Sequence, residues 1–284
     1  MLTRPALARE SGAPNTMDVE RFLRDGYLVT PVPATQAVLD DVRSTYESLI
    51  ATAEALGSSG LVKTRKSNRV EASGRGWSWG CDHIHSPELR RQALLEIANM
   101  DPIPGLVTSI LGPRIRFCGA HGHWSASTYD YYLHWHRDTR RERWGQGNPD
   151  TRAHVQVCVA LVDEAVVWVV PGSHVRDLML QEERFITTHP HAPHPEQVIV
   201  SVPAGHALLL NTYTLHRAQC ERNCTRRSLH FGFGRVGADA EPGRAIKVWP
   251  WLTEPAFLAE QTPFLRNAIL EQVDEAGGTR MDVR

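Results

Sequence analysis

The sequence has little of what marks a secreted, membrane or nucleic-acid-binding protein. Its five cysteines are an odd number without framework spacing, so a disulfide scaffold is excluded and a reduced protein is expected. Lys and Arg (31) nearly balance Asp and Glu (32), which argues against nucleic acid or an anionic membrane as a partner. Met1 to Pro14 contain no apolar run of signal-peptide length, and no later run could span a bilayer. We expect a cytoplasmic protein with a small-molecule substrate, and the oligomeric state stays open.

The 284 residues, 42% hydrophobic, are enough for one large domain. Residues 1–16 are rich in Pro, Gly, Ser and Ala and predict a flexible tail before a single domain over 17–284. Apolar residues at helical spacing predict an amphipathic helix over Gln36–Leu56. The polar, Gly-rich residues 57–86 predict a lid-like loop, and helical spacing returns at about 254–274.

Short β-rich runs separated by turn residues dominate from Arg114 onward. They predict an α+β fold with a mainly β core, namely an antiparallel double-sheet jelly roll with helices packed on one side. The predicted strands are Ile115–Gly119, His121–Thr128, Tyr131–His136, His154–Leu161, Val166–Val170, Gln197–Val202, Ala207–Asn211 and Ser228–Arg235.

Two histidines and one carboxylate occur in the order of a single metal site. His136 and Asp138 lie at a predicted strand end, and His216 follows a later apolar strand. Such strand ends meet at the mouth of a jelly roll, so we expect the three side chains to converge. Two imidazoles and a carboxylate on one face leave open positions that suit a redox iron binding an organic acid and dioxygen. Structural zinc would close all four positions instead. We therefore predict Fe(II) with His136, Asp138 and His216 as its ligands.

Arg227 lies eleven residues after His216, at the start of a predicted strand. A dicarboxylate such as 2-oxoglutarate chelates iron at one end and needs a cation at the other. A guanidinium offers that carboxylate a fixed planar fork. The neighbouring Arg226 would point to the opposite face, because successive side chains alternate along a strand. The spacing therefore predicts Arg227 as the anchor of the co-substrate.

These motifs resemble those of the phytanoyl-CoA dioxygenase (PhyH-like) family of Fe(II)/2-oxoglutarate-dependent oxygenases, over roughly Val19 to Arg235. The segments that carry the resemblance are Phe22-Leu23-Arg24-Asp25-Gly26-Tyr27, Trp135-His136-Arg137-Asp138, Val169-Val170-Pro171-Gly172-Ser173-His174 and His216 through Arg227. The resemblance implies a double-stranded β-helix, with His136, Asp138 and His216 as iron ligands and Arg227 as the 2-oxoglutarate anchor. It implies conversion of 2-oxoglutarate and O2 to succinate and CO2, coupled to oxidation of an aliphatic C–H bond.

The sequence departs from the family pattern at two places. Asp163-Glu164-Ala165 stands where relatives commonly carry Asn-Gly, and Cys158 stands where many have Trp. Gln156 points the same way as Cys158 on the predicted strand, which makes it a candidate co-substrate contact. Asp138 itself argues against the halogenases that resemble this scaffold, because those have a small residue in place of the carboxylate.

The substrate is predicted only as a small polar metabolite or natural-product intermediate, hydroxylated or oxidatively cyclised. Candidate contacts are His121 and His123, which alternate on one strand, Trp144, which could stack on a flat substrate, and Arg137 in a basic run. Two alternatives stay open at this point. One is a cupin-type metalloenzyme that needs no co-substrate, and the other is a non-catalytic binding module stabilised by a metal.

Overall fold

The computed structural model describes residues 16–57, 64–70, 76–125, 131–139, 151–221, 224–238, 246 and 248–277. Within these ranges the helices are α1 (Thr16–Asp25), α2 (Gln36–Leu56), α3 (Gln92–Glu96), α4 (Ile103–Leu111), α5 (Leu180–Thr188), α6 (Pro255–Glu260) and α7 (Pro263–Glu275). The strands are β1 (Tyr27–Pro31), β2 (Thr64–Val70), β3 (Gly76–Cys81), β4 (Ile115–Trp124), β5 (Tyr131–Tyr132), β6 (His154–Ala160), β7 (Glu164–Val169), β8 (Val198–Val202), β9 (His206–Asn211), β10 (His216–Cys220) and β11 (Arg227–Arg235).

Two antiparallel sheets form the β core. In the described ranges the larger sheet has the strand order β1-β9-β6-β11-β4-β3-β2, and the smaller has the order β5-β10-β7-β8. Strands distant in sequence pair within each sheet, as β1 does with β9 and β10 with β7. This arrangement is the double-stranded β-helix, which confirms the predicted fold class. No helix in the described ranges is long and apolar enough to cross a membrane.

Helices cover the outer face of the larger sheet. Helix α2 begins at the predicted residue, because the Thr35 side chain accepts a hydrogen bond from the Val38 amide, and it ends before Gly57. Its buried face includes Tyr46, whose hydroxyl lies 2.8 Å from the carbonyl of His123 on β4. The prediction for this helix is confirmed. Packing of α2 against β4 fixes which face of β4 looks into the space between the sheets.

The sequence prediction differs from the structure in several elements. The strand predicted over Tyr131–His136 is limited to β5, Tyr131–Tyr132. Residues 57–86, expected to form a lid-like loop, include β2 and β3, which extend the larger sheet. The many glycines concealed the alternation of Trp77, Trp79 and Cys81 that is typical of a strand. The two strands predicted over Ile115–Thr128 form one continuous strand over the described part, β4. Strand β10 is not among the predicted strands, because its five residues, His-Arg-Ala-Gln-Cys, are mostly polar.

Gly26 joins α1 to β1 and holds the segment that leads to His216. Its carbonyl accepts hydrogen bonds from the Asn211 amide and the Thr214 hydroxyl, at 2.9 and 3.0 Å. Its φ of +80° is a conformation that glycine adopts without strain. A Cβ here would collide with the Thr214 hydroxyl and would lie 2.6 Å from Nδ1 of His174.

We expect Gly26→Ala to lower the free energy of unfolding by about 1–3 kcal/mol, through backbone strain and this collision. Gly57→Ala is the matched control, because Gly57 also has positive φ (+61°) but a Cβ there would meet nothing within 4 Å. Thermal or denaturant unfolding of both variants measures the difference. Equal losses of unfolding free energy in the two variants would show that the collision with Thr214 adds nothing to the cost of the backbone conformation.

Candidate active site

Backbone pairing brings the predicted metal ligands together. The segment after β5 runs antiparallel to β10, and His136 and His216 exchange both backbone hydrogen bonds, each at 2.9 Å. Three residues further on, the Thr139 amide donates to the carbonyl of Thr212, at 3.1 Å. These bonds fix the segment on both sides of Asp138, so the His-x-Asp motif lies directly across from the strand that begins with His216.

The three side chains form a compact donor set. Oδ1 of Asp138 lies 3.5 Å from Nε2 of His136 and 3.8 Å from Nε2 of His216, and the two imidazole centroids are 4.3 Å apart. One potential ligand atom from each residue lies within 4.8 Å of the others. A single divalent ion can contact all three atoms at these separations.

Hydrogen bonds to the backbone fix both imidazoles in the tautomer that a metal needs. Nδ1 of His136 donates to the carbonyl of His134 at 2.7 Å, and Nδ1 of His216 donates to the carbonyl of Thr214 at 2.9 Å. The unprotonated Nε2 atoms are therefore the ones that face Asp138.

The ionisation of these groups also suits a cation. Burial lowers the pKa of His216 to about 4, so that its imidazole is neutral at neutral pH. Burial opposes ionisation of Asp138, but the neighbouring imidazoles of His216 and His136 outweigh it and hold the pKa of this carboxyl well below its usual range. The Asp138 side chain is 34% exposed, so solvent also favours its ionised form. Two neutral nitrogens and one anionic oxygen fit a divalent iron.

A cavity of about 620 Å³ extends from this triad into the space between the sheets. Cys158, Arg226 and His230 line it together with the triad, and the charges of Asp138 and Arg226 both act on the Cys158 thiol. Arg226 is 1% exposed, and its Nε lies 3.4 Å from Oε2 of Glu164. A buried guanidinium thus lines the cavity that the triad opens into.

The structure places Arg227 outside this cavity, which differs from the sequence prediction. Arg227 faces α2, where Nε and Nη2 donate to the two carboxylate oxygens of Glu47 at 2.5 and 3.2 Å. The face of β11 that carries Arg227 also carries Leu229 and Phe231, which pack in the core beneath the helices. The alternation of side chains therefore directs Arg226, with His230, into the cavity. The alternating apolar residues of β11 already indicated this assignment in the sequence. The prediction of Arg227 followed the spacing from His216 instead.

Arg137 also differs from its predicted role as a substrate contact. It is buried, and one guanidinium nitrogen donates to the carbonyls of Ser173 and Arg176 at 2.7 and 3.0 Å. It does not line the cavity. Arg137 instead holds the Pro-Gly-Ser-His turn, because its position between the two ligands of the motif sends its side chain to the other side of the segment.

Three other candidates line the cavity. Gln156 donates from Nε2 to Nδ1 of His230 at 2.6 Å, His121 contacts Oδ1 of Asp82 through Nδ1 at 3.1 Å, and the His123 ring lies 4.0 Å from the His230 ring. Trp144 lies outside the described residues. Sequence reasoning missed several lining residues that come from separate elements, namely Asp82, His83, Arg116, His154 and Trp249.

Comparison with known proteins assigns the chain to a family. The sequence model described as Phytanoyl-CoA dioxygenase (PhyH) matches residues 22–228. A search of curated protein sequences finds no match. Many solved structures share the fold.

One of them is AviO1 from Streptomyces viridochromogenes Tue57, at 19% identity and a TM-score of 0.61, covering 82% of this chain and all of that one. EctD from S. alaskensis, solved with 2-oxoglutarate and 5-hydroxyectoine, has 16% identity and a TM-score of 0.59, covering 81% of this chain and 80% of that one. HygX from Streptomyces hygroscopicus, solved with nickel and 2-oxoglutarate, has 20% identity and a TM-score of 0.52, covering 79% of this chain and 88% of that one.

At these identities the likeness to solved structures shows a shared fold. The family match covers most of the chain and decides against a non-catalytic binding module or a metalloenzyme without co-substrate. The chain belongs to the phytanoyl-CoA dioxygenase (PhyH) family and is a non-haem iron enzyme that uses Fe(II), 2-oxoglutarate and O2.

Proposed function

We propose that this enzyme hydroxylates, or oxidatively cyclises, a small polar metabolite or natural-product intermediate, with 2-oxoglutarate converted to succinate and CO2. The observation that carries the proposal is one cavity lined both by the convergent triad and by a buried guanidinium. The neighbours solved with 2-oxoglutarate support the same use of the cavity in this chain.

In this proposal each residue of the chain has a defined task. His136, Asp138 and His216 hold iron(II), which when bound activates O2 with electrons from the decarboxylation of 2-oxoglutarate. Arg226 replaces Arg227 as the anchor and binds the distal carboxylate of the co-substrate through its planar fork. Gln156, held by His230, is a further co-substrate contact. The apolar residues between the sheets exclude water from this end of the cavity.

The size of the cavity limits the substrate. About 620 Å³ is ordinary for a small-molecule site, and the co-substrate must share it. The wall formed by Asp82, His83, His121 and Trp249 offers imidazoles, a carboxylate and an indole, with the His83 and Trp249 rings 4.3 Å apart. Such a wall suits a small polar molecule that forms several hydrogen bonds and rests part of its surface on a ring.

The function is tested by screening small polar metabolites for stimulation of 2-oxoglutarate consumption by the iron-loaded enzyme under air. We expect a substrate to increase succinate formation and to gain one oxygen atom or lose two hydrogen atoms, which mass spectrometry detects. Succinate formation that never depends on iron would contradict the proposal.

For a substrate found in this way, we expect His121→Gln to raise its KM about tenfold, because one buried hydrogen bond is lost. The slow consumption of 2-oxoglutarate without substrate should stay unchanged, since His121 does not touch the triad. His189→Gln is the control, because His189 is exposed at the C-terminal end of α5 and does not line the cavity. An unchanged KM in the His121 variant would show that this wall does not bind the substrate.

A further inference from the structure

A buried ion pair lies behind the co-substrate end of the cavity. Arg226 lines the cavity, whereas Glu164 lies behind it, 2% exposed, with Oε2 3.4 Å from Nε of Arg226. Glu164 is the first residue of β7, in the Asp163-Glu164-Ala165 segment that departs from the common family pattern. The departure therefore puts a carboxylate against the guanidinium that is proposed to receive the carboxylate of 2-oxoglutarate.

Among the described residues, three groups interact electrostatically with Glu164. They are Arg226 before β11, the Cys158 thiol on β6 and the Tyr46 phenol on α2. Burial raises the pKa of Cys158 and the pKa of Tyr46, so both are neutral at neutral pH. Arg226 is then the one charged group among these three, and its charge favours the ionised form of Glu164.

We propose that Glu164 competes with 2-oxoglutarate for Arg226 and takes up a proton from solvent when the co-substrate binds. This inference rests on the proposed role of Arg226. Two carboxylates on one buried guanidinium repel each other strongly, because little solvent screens them. Protonation of Glu164 removes that repulsion and leaves a neutral side chain beside Arg226.

The pKa of Glu164 already supports such a step. Burial raises the pKa of this carboxyl, and the charge of Arg226 only partly opposes the rise. A bound carboxylate on Arg226 raises the pKa further. The sign of the linkage follows: the protonated form binds 2-oxoglutarate better, so the apparent Kd rises with pH between the pKa of the free enzyme and that of the complex. Each unit of separation between the two pKa values changes Kd about tenfold.

Anaerobic calorimetry of the Fe(II)-loaded wild-type enzyme measures this step without any variant. Titrating 2-oxoglutarate at one pH in two buffers of different ionisation enthalpy counts the protons exchanged. We expect net uptake of up to one proton at some pH between about 6 and 9, the range that buried glutamates reach. Zero exchange throughout that range would overturn the proposal.

Glu164→Gln keeps the shape of the side chain and removes the charge. We expect its affinity for 2-oxoglutarate to be independent of pH, with no proton uptake, and to be about tenfold tighter than that of the wild type at the alkaline end. Glu47→Gln is the matched control, because Glu47 pairs with the neighbouring Arg227 outside the cavity. Weaker binding by Glu164→Gln at every pH, with the proton uptake retained, would mean that Glu164 only supports Arg226 structurally.

Failure of this inference is distinguishable from failure of the proposed function. If Arg226 is not the anchor, substitutions of Arg226 leave the affinity for 2-oxoglutarate unchanged. If Arg226 is the anchor and Glu164 does not exchange a proton, those substitutions weaken binding while the proton count of the wild type is zero.

Discussion

Asp138→Ala should lose iron and with it the conversion of 2-oxoglutarate to succinate. The carboxylate is the single anionic donor of the triad, and both imidazoles face it through Nε2. Removing a group that merely supports a metal ligand costs about 10–100-fold in metal affinity or activity, so removing a ligand should cost about 100-fold or more. Metal content after gel filtration and succinate formation under air measure the two effects separately.

Asp41→Ala is the control for this variant, because Asp41 is exposed on α2. Asp138→Glu tests the geometry, since it keeps the charge but moves the oxygen by one methylene. We expect it to retain more iron than the alanine variant and to turn over poorly. Normal iron content and turnover in Asp138→Ala would exclude this carboxylate from the metal site.

Substitutions of the two neighbouring arginines, Arg226 and Arg227, should have different effects on the affinity for 2-oxoglutarate. Only the substitution of Arg226 should weaken binding. Arg226→Lys keeps a charge but loses the fork, and Arg226→Gln loses both. We expect the Kd for 2-oxoglutarate to rise roughly 100-fold or more in Arg226→Gln, because charge-assisted hydrogen bonds to a carboxylate are lost in a buried site. Arg227→Gln should leave the affinity within about twofold and cost at most about 1 kcal/mol of stability, since it breaks a partly exposed ion pair with Glu47.

The Arg226→Gln variant needs a control for folding, because loss of the guanidinium leaves the Glu164 carboxylate buried without its cation. The double variant Arg226→Gln with Glu164→Gln removes both charges, so that no buried carboxylate is left without its cation. Anaerobic titration of 2-oxoglutarate, followed by the visible charge-transfer band of the iron complex, gives Kd for each folded variant. Weakened binding in Arg227→Gln, with Arg226→Gln unchanged, would restore the assignment made from residue spacing.

The contrast between these arginines shows how far the sequence can be interpreted. The triad was predictable, because His136 and Asp138 are fixed by local spacing and His216 follows an apolar strand whose end is expected at the same mouth of the jelly roll. The choice between Arg226 and Arg227 depends on which face of β11 turns inward. A shift of one residue exchanges the two faces of a strand. The apolar alternation of Leu229 and Phe231 carried that information, whereas the distance along the chain from His216 did not.

The remaining cavity wall could not be predicted, for a different physical reason. Asp82 and His83 follow β3, and Trp249 precedes α6, so these side chains meet the predicted His121 on β4 only through tertiary packing. No local period relates them. The predicted role of Arg137 was wrong for a related reason. A basic residue beside the motif was expected to face the site, but its side chain donates a hydrogen bond to the Pro-Gly-Ser-His turn.

A crystal structure of the enzyme with an iron surrogate and 2-oxoglutarate tests the central geometry most directly. We predict the metal on Nε2 of His136, Nε2 of His216 and the carboxylate of Asp138, with the distal carboxylate of 2-oxoglutarate on the guanidinium of Arg226. A metal bound elsewhere, or a distal carboxylate held by a group other than Arg226, would contradict the account.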